Sequence, residues 1–150
     1  METTSLQKFS KWVMQEVQHL NPDTTWTELS LVLTDDHGMT ELNQAYFNKH
    51  ESTDVISFAY APMPGDHDGH TGEVIVNVEC AVREGPAHAG ASRELALYIA
   101  HGCQHLTGAS DHTPELREAM RQQETKWLAR AEKEGLLDGL VSDSKRNSSP

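Results

Sequence analysis

The sequence predicts an α+β fold, a single domain in which a small mixed β-sheet packs against several helices. Three observations carry this. Apolar residues recur at helical spacing near both ends of the chain. Two central stretches are rich in β-branched and aromatic residues, and an earlier one alternates leucines. The elements read α, β, α, β, β, α, α, α, an order that suits one mixed sheet with helices against it. The 150 residues suit one core of ordinary size. The domain is expected over residues 1–137. The tail 138–150 turns polar and serine-rich and is expected to be disordered.

Taken in order, Leu6, Phe9, Val13, Val17 and Leu20 mark a helix over 5–20. WTELSLVLT (26–34) alternates Leu29, Leu31 and Leu33 and reads as a strand. Asp35-Asp36-His37-Gly38 reads as a turn, and 39–48 as a short helix. TDVISFAY (53–60) reads as a strand with Val55, Ser57 and Ala59 on one face and Ile56, Phe58 and Tyr60 on the other. Residues 61–70 carry the prolines, glycines and aspartates of a loop. GEVIVNVE (72–79) has four β-branched residues between Val74 and Val78 and is the clearest strand. Residues 80–87 are weakly helical. SRELALYIAHGCQHLT (92–107) is the clearest helix, with Ser92 as expected N-cap, Glu94 in its first turn and Gly108 as a left-handed end. In the last helix Thr113 caps, Pro114 leads, and Leu116, Met120, Trp127 and Ala131 form the apolar face.

The formal net charge of −11 argues against broad, sequence-independent nucleic-acid binding, though not against a local basic groove. It also argues against an anionic membrane surface. No stretch reaches the length of a membrane span, and the first residues have no basic-then-apolar pattern of a signal peptide. Two cysteines, Cys80 and Cys103, do not make a disulfide framework. A cytoplasmic protein is the simplest expectation.

The chemistry concentrates in HGCQHLTGASDH, residues 101–112. His101 and His105 are four apart on the predicted helix, so their side chains share a face. Two imidazoles so placed can reach one zinc ion. Gly108 lets the chain reverse, and Asp111 and His112 follow as candidates for a third ligand. The spacing approximates the H-x-x-x-H-x-x-G-x-x-H layout of metzincin peptidases. Gly102, however, stands where a zinc peptidase has its glutamate base, so peptide hydrolysis by that route is excluded. Gly102 either removes bulk beside a metal or allows close helix packing.

HGCQHLTGASDH resembles the H-G-x-L-H-L-x-G-x-D-H signature of the YbeY family, bacterial ribosomal RNA maturation factors regarded as zinc-dependent endoribonucleases. LNQAYFNKHESTDVISF (42–58), TGEVIVNV (71–78) and RELALYIAHG (93–102) are similar to other family segments, so the resemblance covers residues 25–130. It implies an α+β fold, ribosomal RNA maturation or quality control, and one zinc per chain, with nickel as an alternative. Ribosomal RNA, ribosomal subunits and ribosomal proteins are the implied partners. His101 and His105 match the first two family ligands. Ungapped register puts the third on Asp111, and the family methionine nine residues further falls on Met120. His112 is the more usual ligand type but needs a one-residue insertion.

Two departures stand out. The family arginine implicated in RNA cleavage is replaced by Phe47, which cannot bind phosphate bidentately. Lys49 and His50 are nearby, and Lys49 is the expected substitute, acting as a point charge. Gln104 replaces the signature leucine between the histidines, read as a packing change.

Other residues carry weaker expectations. His67 and His70, with Asp66 and Asp68, are expected in a solvated loop rather than a second metal site. Cys103 is expected buried and structural. Asp54 either orients a ligand or caps a turn. Arg117, Arg121, Lys126, Arg130 and Lys133 are expected on a solvated face. Three functions follow: a metal-dependent endoribonuclease, a weakened RNA- or ribosome-binding relative of it, and a small-molecule metallohydrolase.

Overall fold

The computed structural model describes residues 3–20, 22, 26–60, 69–107, 112–137 and 139–141. The helix expected at the start is α1 (Thr3–Leu20), followed by β1 (Trp26–Thr34), α2 (Asp36–Phe47), β2 (Val55–Tyr60) and β3 (His70–Asn77). Helix α3 (Val78–Glu84), a 3-10 turn (Gly85–Ala87), α4 (Ala91–Leu106) and α5 (Pro114–Lys133) complete the order. The three strands form one sheet in the order β1-β3-β2, with β1 parallel and β2 antiparallel to β3.

Central β3 is covered on both faces, which explains its dense β-branched sequence. Val74 and Val76 enter the main core with Phe9, Val13, Leu95, Ile99, Cys103, Trp127 and Leu128. Ile75 points the other way, into a smaller cluster with Met39 and Ile56 beneath α2. Helices α1, α4 and α5 thus share one layer, and α2 lies across the sheet from them.

Four local expectations are corrected. Residues 35–38 are not a separate turn. The Asp35 carboxylate accepts from the Gly38 amide at 2.8 Å and so caps α2, which begins at Asp36. Val78 and Glu79 leave the expected strand because Asn77 caps α3, accepting from the Cys80 amide at 3.0 Å. Ser92 lies inside α4, whose N-cap is Gly90. The Ser92 hydroxyl instead accepts from the Val141 amide at 2.9 Å. Leu116 is 43% exposed and is not part of the buried face of α5, whereas Met120, Trp127 and Ala131 are. The Thr113 cap and leading Pro114 are as expected.

The solvated face of α5 also has an exception. Arg130 makes a two-pronged ion pair to Glu16 of α1, at 2.7 and 3.1 Å, and lies over the Trp12 ring.

Candidate functional site

Helix α4 brings His101 and His105 together as their spacing requires. Their Nε2 atoms are 3.2 Å apart and their rings meet edge-on at 84°. Two nitrogens bound to one tetrahedral zinc, each at about 2.0–2.1 Å, lie about 3.3–3.4 Å apart. The pair is therefore already at ligand spacing.

A carboxylate stands behind it. His101 Nδ1 is hydrogen-bonded to Glu124 Oε2 of α5. Gln104 Nε2 donates to the same oxygen at 2.9 Å and to the Met120 carbonyl at 3.0 Å. Glu124 is buried, and a buried carboxylate needs such donors. With Nδ1 donating to this carboxylate, the lone pair of His101 is on Nε2, the atom that faces His105. This is the arrangement in which imidazole serves as a metal ligand.

The front of α4 is set by Gly102. A Cβ there would lie 2.8 Å from Ser57 Oγ, 2.8 Å from Val74 Cγ1 and 2.9 Å from Val55 Cγ2. The glycine is thus a packing requirement, where helix and sheet approach too closely for any side chain. It does not clear space for a substrate. Ser57 Oγ also donates to the Gly102 carbonyl at 2.9 Å. The VIS of strand β2 and the HG of helix α4 fit each other, and that contact sets the histidines above the sheet.

An open cleft of about 610 Å³ lies before the pair, lined by His101, His105, Phe47, Lys49, Asp54 and Ser57 among others. Its second wall is the end of α2 and the loop into β2. Asn48 ends α2 in the left-handed conformation (φ 56°), and the Asn43 amide donates to the Glu51 carbonyl at 2.8 Å. At the base of the loop Asn77, fully buried, donates to Asp36 Oδ1 (2.7 Å), Ser52 Oγ (3.0 Å) and the Thr53 carbonyl (3.2 Å). Arg83 donates to Asp36 Oδ2 at 2.8 Å. The Arg83 bond, then that of Asn77, hold the Asp36 carboxyl down to about 2.

Lys49 reaches this cleft, as the sequence expected of a substitute cation, but it is on the opposite wall from the histidines. Asp54 lines the cleft and its carbonyl accepts from the Asn77 amide, while the carboxylate on His101 belongs to Glu124. Gly108, Asp111, His67, Asp66 and Asp68 lie outside the described residues. His70 opens β3, its ring 5.5 Å from that of Trp26. His112 is exposed. Among the described residues there is no group of three or more histidine, cysteine, aspartate or glutamate side chains that could hold a metal ion. Cys103 is fully buried, and burial pushes its thiol up to about 12, which leaves it neutral and unsuited to binding metal.

Sequence reading missed Glu124 and misread Gln104. One signal was available: Met120, Glu124, Trp127 and Ala131 fall at i, i+4, i+7 and i+11, so an acid occupies the apolar stripe of α5. Gln104 is not a packing change alone but the amide donor that a buried Glu124 needs.

The fold and site define a class: an α+β protein with a helix-borne histidine pair, a carboxylate behind it and an open cleft in front. Comparison with known proteins narrows this. The chain belongs to the endoribonuclease YbeY family, whose sequence model matches residues 1–132. It is 36% identical over 124 residues to endoribonuclease YbeY of Salinibacter ruber, a match covering 79% of this chain and 78% of that one. It is 33% identical over 120 residues to endoribonuclease YbeY of Anaeromyxobacter dehalogenans, covering 79% of this chain and 60% of that longer relative. The solution structure of TM1509 from Thermotoga maritima superposes with a TM-score of 0.56 at 18% identity, over 94% of this chain and 93% of that one, and shares the fold.

Proposed function

We propose that this chain is a metal-dependent endoribonuclease acting in ribosomal RNA maturation and ribosome quality control. The observation that carries the reading is the Nε2 pair at 3.2 Å, backed by Glu124, in a member of this family. Ribosomal RNA and ribosomal subunits, with ribosomal proteins, are the proposed partners, and the cytoplasm the proposed location. Among the described residues no helix is long and apolar enough to cross a membrane.

The donor set fits zinc, and imidazole suits nickel as well. His101 and His105 are the proposed ligands. Asp111 is the third by register, with His112 as the alternative. Such an ion supplies Lewis acidity and lowers the pKa of a water it binds. Glu124 keeps the proton on His101 Nδ1, and Gln104 keeps Glu124 in place. Lys49, across the cleft, attracts an RNA phosphate as a point charge.

The test is metal content and cleavage measured together, on untagged protein beside His105→Ala. About one zinc per chain is expected in the wild type and none in the variant, with cleavage of structured ribosomal RNA lost in parallel. Intact RNA after incubation with zinc-loaded wild type overturns the nuclease reading. Phe47 in the cleft wall favours a second reading, a relative that binds ribosomal subunits and cleaves weakly. Co-sedimentation without cleavage, and cleavage gained in Phe47→Arg, would support it.

A further inference from the structure

A second, smaller hollow adjoins the cleft on the side of α5. It holds about 210 Å³ and is lined by His101, Arg117, Met120, Arg121 and Glu124. His101 lines the main cleft as well, so the two hollows meet at that ring. The four α5 residues fall at i, i+3, i+4 and i+7 and share one stripe of the helix. A stripe turned toward the protein is ordinarily apolar. Here Met120 and Glu124 are buried, while Arg117 and Arg121 on the same stripe are exposed. Further along α5, Arg130 is committed to Glu16 and to the Trp12 ring. Arg121 is held more loosely. Its Nε and Nη2 donate to the Glu118 carboxylate at 3.1 and 2.5 Å, and its Nη1 makes no hydrogen bond among the described residues. Glu118 and Arg121 are both exposed, and a pair of that kind contributes little to the fold and yields to a stronger anion.

We propose that Arg117 and Arg121 form an anion site that holds one backbone phosphate of the RNA beside the histidine pair. The inference rests on the ribonuclease reading and adds how the substrate is held. Three features select a phosphate. The two guanidinium groups stand one helical turn apart, and each offers a planar fork of N–H donors that matches phosphate oxygens. The hollow is large enough, since a water takes about 30 Å³ in the liquid and a phosphate group is only a few times larger. Charge also favours this side. The main cleft sets Lys49 against Glu51 and Asp54, one cation against two carboxylates, in a chain that carries −11. In the α5 hollow the lining carboxylate, Glu124, is already taken up by His101 and Gln104, which leaves the guanidinium groups to an incoming anion. A strand passing the histidines is then held at a point on either side of them, by Lys49 across the cleft and by the arginine pair on α5.

The test measures binding of the full chain, zinc-loaded, to a fluorescent 2′-O-methyl RNA oligomer by anisotropy over a range of salt. Zinc content and the cleavage of unmodified RNA are followed in parallel. Arg117→Ala with Arg121→Ala is compared with Lys126→Ala plus Lys133→Ala, which removes the same charge from the same helix outside the hollow. Alanine is the best helix former, so both double variants keep α5, and circular dichroism checks this. The arginine double variant is expected to bind roughly tenfold more weakly and to lower the slope of log affinity against log salt by about 0.7, the loss of one phosphate contact on a single strand. Its zinc content is expected to stay at the wild-type level and its KM for RNA to rise. The lysine double variant is expected to bind within about twofold of wild type, because screened charges away from the contact count for little. Arg121→Lys restores only part of the affinity, since a point charge replaces a fork. An oligomer with neutral methylphosphonate linkages is expected to bind wild type and arginine variant alike. Wild-type affinity and slope in the arginine variant, or an equal loss in the lysine variant, overturns the site while RNA cleavage by the wild type stands. Loss of zinc from the arginine variant also overturns it, because the arginines then serve the metal centre. A wild type that neither binds nor cleaves RNA overturns the ribonuclease reading with it.

Discussion

The two walls of the cleft are built in opposite ways. On the α4 wall the polar groups that position the histidines are themselves held: His101 by Glu124, Glu124 by Gln104, and the Gly102 carbonyl by Ser57. The facing wall presents Phe47 and Lys49 at a helix end and loop, exposed, with order coming from backbone caps and the Asn77 hub below. The difference separates two tasks. Ligands of one ion must be held within a fraction of an ångström, which needs buried support. The facing wall has no such demand, and loop backbone carries its exposed side chains.

The contrast can be broken most severely at Gly102. Gly102→Val drives a branched side chain into Ser57, Val55 and Val74, with Cβ contacts of 2.8–2.9 Å before the methyls are added. A loss of about 3 kcal/mol is expected from overpacking, lowering the melting midpoint by roughly 5–10 °C. A midpoint within a degree of wild type would mean that the wall yields, and that the close approach is not what seats the histidines.

Glu124→Gln should act on the site and much less on the fold. The amide oxygen can still accept from His101 Nδ1, but the charge that raises ligand basicity is gone. Zinc affinity, measured by chelator competition, is expected to fall by about 10- to 100-fold. Unchanged affinity would reduce Glu124 to a space-filling role.

The smallest effect belongs to the base of the other wall. Asp36 titrates at about 2 rather than 3.8 because Arg83 and then Asn77 bond its charged form. A depressed carboxyl stabilises the fold above its ordinary value, and that contribution disappears as pH falls through the folded value. The stability gap between wild type and Asp36→Asn should therefore be constant above about pH 5 and close toward pH 2. Denaturation curves that stay parallel across that range would show that the carboxylate does not tie the loop to the sheet.

What was legible in the sequence was local or periodic. Strand β1 falls on the predicted residues, and α1 and α4 match within two, because apolar spacing reports which face is buried. Helix ends were less secure where one side chain had two uses. Ser92 has the chemistry of a cap, yet its hydroxyl is taken by Val141 from 49 residues away. Asp35 to Gly38 has turn composition, yet the same Asp35 geometry that makes a turn also starts a helix.

By itself, then, the sequence determined the α+β class, the strand and helix order and the one-face placement of His101 and His105, since each follows from repeats of 2 and 3.6 residues along one segment. Only the tertiary structure decided that Glu124 backs His101, that Gly102 is a packing glycine, and that Phe47 joins Phe58 in a patch open to the cleft. Those facts concern residues 11 to 45 positions apart. No local periodicity encodes such pairs; they are settled when helices and sheet compete for the same buried volume.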